Sequence, residues 1–442
     1  MMASVVVGLG KTGASCLRYL ARRGVPVSAT DTRAAPPGLG DLGDLAGRLD
    51  IRVGGLDLAL LDGASQLLMS PGVSLDEPIA ALARRRGIEV IGDIELFARA
   101  VRAPVIGVTG TNGKSTVTSL VAHMARERGG AVLAGGNLGE PALDLLDHPP
   151  PDLYVLELSS FQLETTYSLD LVAAAVLNVS ADHLDRYASV EDYARAKRRI
   201  FDHAATAVLN ADDPLVLAMR GDRMRAITFS IGTRNADFTL LESGGEPWLA
   251  RRGEPLLPAS RLKIGGLHNA ANALAALALG EAAGLAVEPM LAALETFKGL
   301  PHRCEWVLDE GGVRYVDDSK GTNVGATIAA VAGSDRPLVV ILGGVGKGQD
   351  FTPLRAAFRG KVRHAVLIGK DAAAIAAALD GVCAMDRAAS MDEAVAAAAR
   401  RARPGDAVLL SPACASFDMF RDYAHRGDAF AAAVRGLARR SP

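Results

Sequence analysis

Cysteine is scarce in this 442-residue chain, and the four present (Cys16, Cys304, Cys383, Cys414) are far apart and form no Cys-x-x-Cys pair. That spacing excludes a disulfide scaffold or zinc ribbon and fits a reducing compartment. Aromatic residues are 5% of the chain, too few for a base-stacking platform. Neither sign of charge is in excess. Lys+Arg number 48 and Asp+Glu 50, a formal net charge of -2, so no global field recruits nucleic acid or anionic lipid. No charge-free apolar run reaches membrane length, and the quietest stretch, Ile264 to Gly280, is interrupted by His268, Asn269 and Asn272. The opening ten residues read as a strand and turn, so no secretory leader is expected. What is there is ordinary: 49% hydrophobic and 22% charged residues, which excludes a disordered or collagen-like chain. The expectation is a cytoplasmic monomer with no membrane span and no nucleic-acid partner. At about 150 residues per domain, it has roughly three domains.

Short Val/Ile/Leu runs alternate with Ala/Leu/Arg-rich helical stretches almost throughout. That is the pattern of α/β domains with mostly parallel sheets. Strands are expected at Ser4–Val7, Val105–Val108, Tyr154–Leu156, Ala173–Leu177, Leu338–Leu342, Ala365–Ile368 and Ala407–Leu410. Their continuous apolar character suits strands covered on both faces. Boundaries near Arg99–Pro104 and Lys298–Pro301 divide the chain into 1–100, 101–298 and 299–442. The Ala-rich segment Asp371–Arg403 has the apolar spacing of surface helices.

The strongest motif runs from Gly107 to Thr116, between an expected strand and the expected helix Thr116 to Arg128. Glycines let backbone N–H groups wrap phosphate oxygens, and the helix N-terminus adds its dipole. Lys114 would reach the β- and γ-phosphates and the Ser115 hydroxyl would bind Mg²⁺. The loop is a variant: Val108 stands where a strict Walker A sequence has its first glycine, and glycines fall at 107, 110 and 113. Glu157, near the end of another apolar strand, is placed where Mg²⁺ is expected beside such a loop.

A second nucleotide signature opens the chain. Gly8-Leu-Gly10-Lys-Thr12-Gly13 follows a strand, and Asp31 ends the next one. This is a dinucleotide-type fingerprint, and it equally suits another diphosphate nucleotide. Other polar residues say less by themselves. His183 reads as a polar loop residue and Lys197 as one cation on a solvated basic helix face. The Gly343–Asp350 loop carries Lys347, which suits a carboxylate ligand. Cys414 has no motif-linked histidine and reads as packing.

The block Gly110-Thr111-Asn112-Gly113-Lys114-Ser115-Thr116 resembles the ATP loop of the Mur ligases and their folylpolyglutamate synthetase relatives. Further matching blocks follow in family order along nearly the whole chain. The resemblance implies an ATP-dependent amide-forming ligase built from a Rossmann-like N-terminal domain, a central P-loop-type ATPase domain and a C-terminal Rossmann-like domain. It places Asn272, Arg303 and Asp318 with the phosphate loop around ATP. His183 is placed at the metal and phosphate site. Lys197 is implied to be carbamylated, a ligand of the second of two Mg²⁺ ions with Ser115, Glu157 and His183. The first domain is similar to that of the family's D-glutamate-adding members. This implies contacts from Thr12, Asp31, Thr32, Arg33, Gly72, Asn137 and His183 to UDP-N-acetylmuramoyl-L-alanine. It implies contacts from Lys320, Thr322, Lys347, Ser416 and Tyr423 to D-glutamate. Two other readings stay open on the residues alone: an NAD-dependent oxidoreductase, and a non-catalytic nucleotide-binding regulator.

Overall fold

The computed structural model describes residues 3–233 and 235–438. Each expected apolar run is a buried strand, and the strands form three sheets. The first is all parallel, in the order Asp50–Val53, Val27–Asp31, Ala3–Val7, Ala64–Met69, Glu89–Ile91. The second has nine strands. Its parallel part centres on Val105–Thr109, flanked by Ala173–Val176 and Leu153–Glu157, and an antiparallel ribbon over Phe238–Pro258 extends one edge. The third has six strands, with Leu338–Gly343 and Ala407–Leu410 paired in parallel at its centre. In all three sheets the strand order reverses beside the first or a central strand. Ligands bind at such a crossover, outside the carboxyl ends of the strands.

Helices cover both faces. The helix Leu267–Ala282 is apolar from Ala273 to Leu279, and that stretch lies buried against the central sheet. The Ala-rich segment gives helices Ala372–Leu379 and Met391–Arg401, with a short edge strand Ala384–Arg387 between them.

The first and central domains meet along a polar seam. Asp144 accepts from Ser15 Oγ at 2.7 Å and pairs with Arg18 at 2.6 Å. Glu95 accepts from the Tyr167 and Ser168 N–H groups and from Ser168 Oγ. Asp93 is deeply buried and accepts from Gln162 Nε2 at 3.0 Å, while its other oxygen has no side-chain partner among the described residues. Burial pushes the Asp93 carboxyl up to about 6 despite the Gln162 bond. Between about pH 4 and 6 the folded chain therefore holds a proton that the unfolded chain has lost. Stability from this group is complete below about pH 4 and falls as pH rises to 6. Asp93→Asn is expected to raise the melting temperature by a few degrees at pH 8 and by nothing at pH 4. Scanning fluorimetry at both pH values checks this, and an equal shift at the two would refute the titration.

Candidate active site

The phosphate loop follows the central strand Val105–Thr109, and Lys114 begins the helix Lys114–Glu127. Gly113 has φ +84, and a Cβ there would lie 2.5 Å from Asn272 Oδ1, so glycine is required where the loop passes the next helix. Asn178 clamps the loop. Its Oδ1 accepts from Asn112 N at 2.8 Å, its Nδ2 donates to Asn112 O, and its carbonyl accepts from Thr111 N. Lys114 Nζ folds back and donates to the Gly110 and Thr111 carbonyls at 2.9 Å each.

Ser115 Oγ donates to Glu157 Oε2 at 2.5 Å, and Asn137 Nδ2 donates to Glu157 Oε1 at 2.6 Å. Burial raises the Glu157 carboxyl, but the Lys114 charge and these bonds outweigh it and hold it below the usual carboxylate range. From the third domain, Arg303 Nη2 donates to Ser115 Oγ at 2.6 Å. Asn323 Nδ2 donates to Asn112 Oδ1 and to Asp182 Oδ2, both at 3.2 Å. The central and third domains therefore close on each other at the phosphate loop.

Three cavities adjoin. The first, about 350 Å³, is lined by Asn112, Gly113, Thr116, Asn272, Arg303 and Asp318 among others. The Asp318 carboxyl accepts from Ser411 Oγ at 2.8 Å and is pushed up to about 7 by burial. The second, about 320 Å³, contains Thr111, Lys114, Ser115, Glu157, His183 and Lys197 on one side. Lys320, Thr322, Lys347, Ser416 and Tyr423 face them from the third domain. Lys320 Nζ sits over the Tyr423 ring at 4.0 Å, and burial, with Arg303 and Lys114 nearby, brings its ammonium down to about 8. The third cavity, about 660 Å³, lies at the crossover of the first sheet and is lined by Thr12, Asp31, Thr32, Arg33, Gly72 and Asn137. Asn137 belongs to both the second and third cavities, and so joins them. Asp31 is 2% exposed. Burial raises its carboxyl, but hydrogen bonds from Arg33 and from the Leu9 N–H outweigh this and bring it to about 2.

Every residue that the resemblance assigns to a ligand or metal lines one of these cavities except Gly110. The Gly110 carbonyl instead receives both Lys114 and Lys197. One reading from composition is corrected. Lys197 is not on a solvated face. It is 1% exposed, donates to Gly110 O at 3.0 Å and lies over the Tyr193 ring at 4.2 Å. Burial, with Lys114 beside it, takes its ammonium well below the usual lysine range. Helical spacing carried the signal: Tyr193, Ala196, Lys197 and Ile200 share the buried face. His183 is a polar loop residue, as expected, and it lines the second cavity. It has φ +56 and packs edge-on to Phe161 at 4.9 Å, and burial lowers its imidazolium against the opposing Asp182. Cys304 and Lys347 are also left-handed and line these cavities, as strained backbone at functional sites tends to. Sequence reading passed over Asp182, Asn178 and Asn323, although the first two stand in the run that carries His183.

Among described residues no helix is long and apolar enough to cross a membrane. Sequence profiles match the chain in three blocks. These are the Mur ligase MurD-like N-terminal domain over residues 2–92, the Mur ligase middle domain over 108–280 and the Mur ligase glutamate ligase domain over 302–414. The chain is similar to the UDP-N-acetylmuramoylalanine–D-glutamate ligase of Nitrosococcus oceani, at 55% identity over 98% of this chain and 96% of the relative. It is similar to the ligase of the same name from Marinobacter nauticus, at 50% identity over 98% of each. Among solved structures it is similar to UDP-N-acetylmuramate-alanine ligase from Thermotoga maritima, with TM-score 0.64 and 20% identity over 99% of this chain and 100% of that one. It is also similar to a pseudomurein peptide ligase type C from Methanothermus fervidus, with TM-score 0.62 and 19% identity over the same shares. At those identities the two structures speak to the fold.

Proposed function

The chain belongs to the Mur ligase family, and we propose the following division of labour within its site. The protein is an ATP-dependent ligase of peptidoglycan precursor synthesis that adds D-glutamate to UDP-N-acetylmuramoyl-L-alanine. The observation that carries this reading is the joining of three cavities. A nucleotide cavity and a first-domain substrate cavity each share lining residues with a middle cavity whose wall is rich in cations.

ATP occupies the cavity of Asn272, Arg303 and Asp318, its phosphates lying on the 110–116 loop. The UDP-linked substrate lies along Thr12, Asp31–Arg33 and Gly72, its alanyl carboxylate passing Asn137 toward His183. D-Glutamate's two carboxylates meet Lys320, Thr322, Lys347, Ser416 and the Tyr423 region. In the first step the alanyl carboxylate oxygen attacks the γ-phosphorus and ADP leaves. In the second, the amine of D-glutamate attacks the acyl phosphate carbon, the amine proton is lost and phosphate leaves as the amide forms. Lys114, Arg303 and backbone N–H groups of the loop offset charge on the phosphoryl group in flight. Closure of the third domain through Arg303 and Asn323 excludes water from an acyl phosphate that would otherwise hydrolyse.

The donor set fits magnesium. Ser115 and Glu157 present two hard oxygens within 2.5 Å of each other, beside the phosphate loop. Lys197 fits as a ligand only as a carbamate, and its burial favours the neutral amine from which a carbamate forms. His183 faces the same cavity. When bound, the metal supplies charge neutralisation at the transferring phosphoryl group.

The test is phosphate release from ATP with UDP-N-acetylmuramoyl-L-alanine and Mg²⁺, comparing D-glutamate, L-glutamate and no amino acid. Sustained release is expected only with the UDP substrate and D-glutamate together. ATP binding without release under any condition would refute the assignment.

A further inference from the structure

Arg186 has no role in the reading above, yet it lines the first-domain substrate cavity from the central domain. Its guanidinium lies over the Phe161 ring, 4.4 Å from the centroid. Among the described residues the guanidinium makes one hydrogen bond, and it is long: Nη2 donates to Val73 O at 3.5 Å, across the seam between the domains. Val73 in turn sits on the glycine turn of the first domain. Gly8 has φ +91, and a Cβ there would come within 2.7 Å of Val73 Cγ2. That contact chain puts the guanidinium beside the turn whose fingerprint assigns it to a diphosphate. The helix that starts there, Lys11–Arg22, has no side-chain cap and no acidic residue in its first turn, so its N–H groups are free for an anion.

The cavity's other cations are differently placed. Arg33 is committed to Asp31 at 2.7 Å, and Lys11 is exposed. Among the described residues no carboxylate oxygen pairs with Arg186. Glu164 acts on it through space, and Glu77 shares the cavity. A planar fork held on an aromatic face and lacking an anion suits phosphate oxygens.

We propose that Arg186 is a substrate-binding residue whose guanidinium takes a non-bridging oxygen of the substrate's diphosphate, beside the glycine turn. This rests on the UDP-substrate reading above. It has a consequence for the reaction centre. Arg186 is three residues beyond His183, and both rest on Phe161. An anion on Arg186 therefore steadies the loop that carries His183.

The test uses calorimetric titration of UDP, uridine and ATP into wild type and Arg186→Met, which keeps an apolar stem on Phe161 without the charge. UDP is expected to bind about 10- to 100-fold more weakly to the variant. Uridine and ATP should be unchanged. UDP binding within twofold of wild type would overturn the proposal while leaving the ligase reading intact. A wild type that binds no UDP would overturn both. Should the variant not fold, phenylglyoxal modification of wild type, read by mass spectrometry at Arg186, decides. Protection by UDP and none by uridine is expected, and equal rates with and without UDP would overturn the inference.

Discussion

Lys114→Ala is expected to cut phosphate release about 10³-fold while the protein melts within a few degrees of wild type. The side chain begins a helix and bonds only to carbonyls of its own loop, at Gly110 and Thr111, so its loss disconnects no distant element. Asn178 still clamps the loop and the buried face of the helix still packs on the sheet. The charge, by contrast, is central. Burial lowers the Lys114 ammonium, and the facing Glu157 carboxylate counters this. A cation held in a partly desolvated loop is worth most where negative charge develops, so kcat should fall far more than ATP affinity. Lys114→Arg should not rescue, because a planar fork cannot retrace the path of the ammonium between two carbonyls. Calorimetry with ATP and a phosphate-release assay on the same preparations separate the two effects. Release within tenfold of wild type would remove Lys114 from the phosphoryl group.

The chain showed its strands readily because they are buried on both faces and need no alternation. Ala407–Leu410 has the expected bounds, and Val105–Thr109 and Leu153–Glu157 extend theirs by one or two residues. The ribbon Phe238–Pro258 and the edge strand Glu305–Glu310 were not legible. Glu, Arg and Pro residues flank their apolar runs, which are only two or three residues long. The phosphate loop was legible because its chemistry is local in sequence. The resemblance named most of the remaining site residues, since they come from three domains and meet only in the folded chain. Asn323 illustrates the limit. It caps the helix Val324–Ala332 through Ala326 N and also reaches Asn112 and Asp182, and only the first duty leaves a sequence signal.

The second large effect is expected at Lys197. Lys197→Ala should lose activity about 10²-fold or more, and wild-type activity should depend on dissolved CO₂. The neutral amine attacks CO₂, forms an N–C bond and releases one proton, so a carbamate forms from the deprotonated lysine alone. An ordinary lysine is almost wholly protonated near neutral pH. Lys197 is not ordinary: burial, with Lys114 nearby, takes its ammonium well below that range. The sign follows. Lowering pH moves the group toward ammonium and drives off CO₂, so degassed enzyme should lose most activity at the acid end and regain it with added bicarbonate. At alkaline pH the same bicarbonate addition should matter less. A carbamate replaces a buried cation by two oxygens beside Ser115 and Glu157, an oxygen-rich set suited to a hard divalent cation. It also relieves the repulsion between Lys197 and Lys114. The alternative keeps Lys197 as an ammonium touching phosphate, and it makes an opposite prediction. Activity would then be indifferent to CO₂ and would rise as pH falls toward full protonation. Loss in Lys197→Ala with no bicarbonate effect at any pH would select that alternative and take Lys197 out of the metal site.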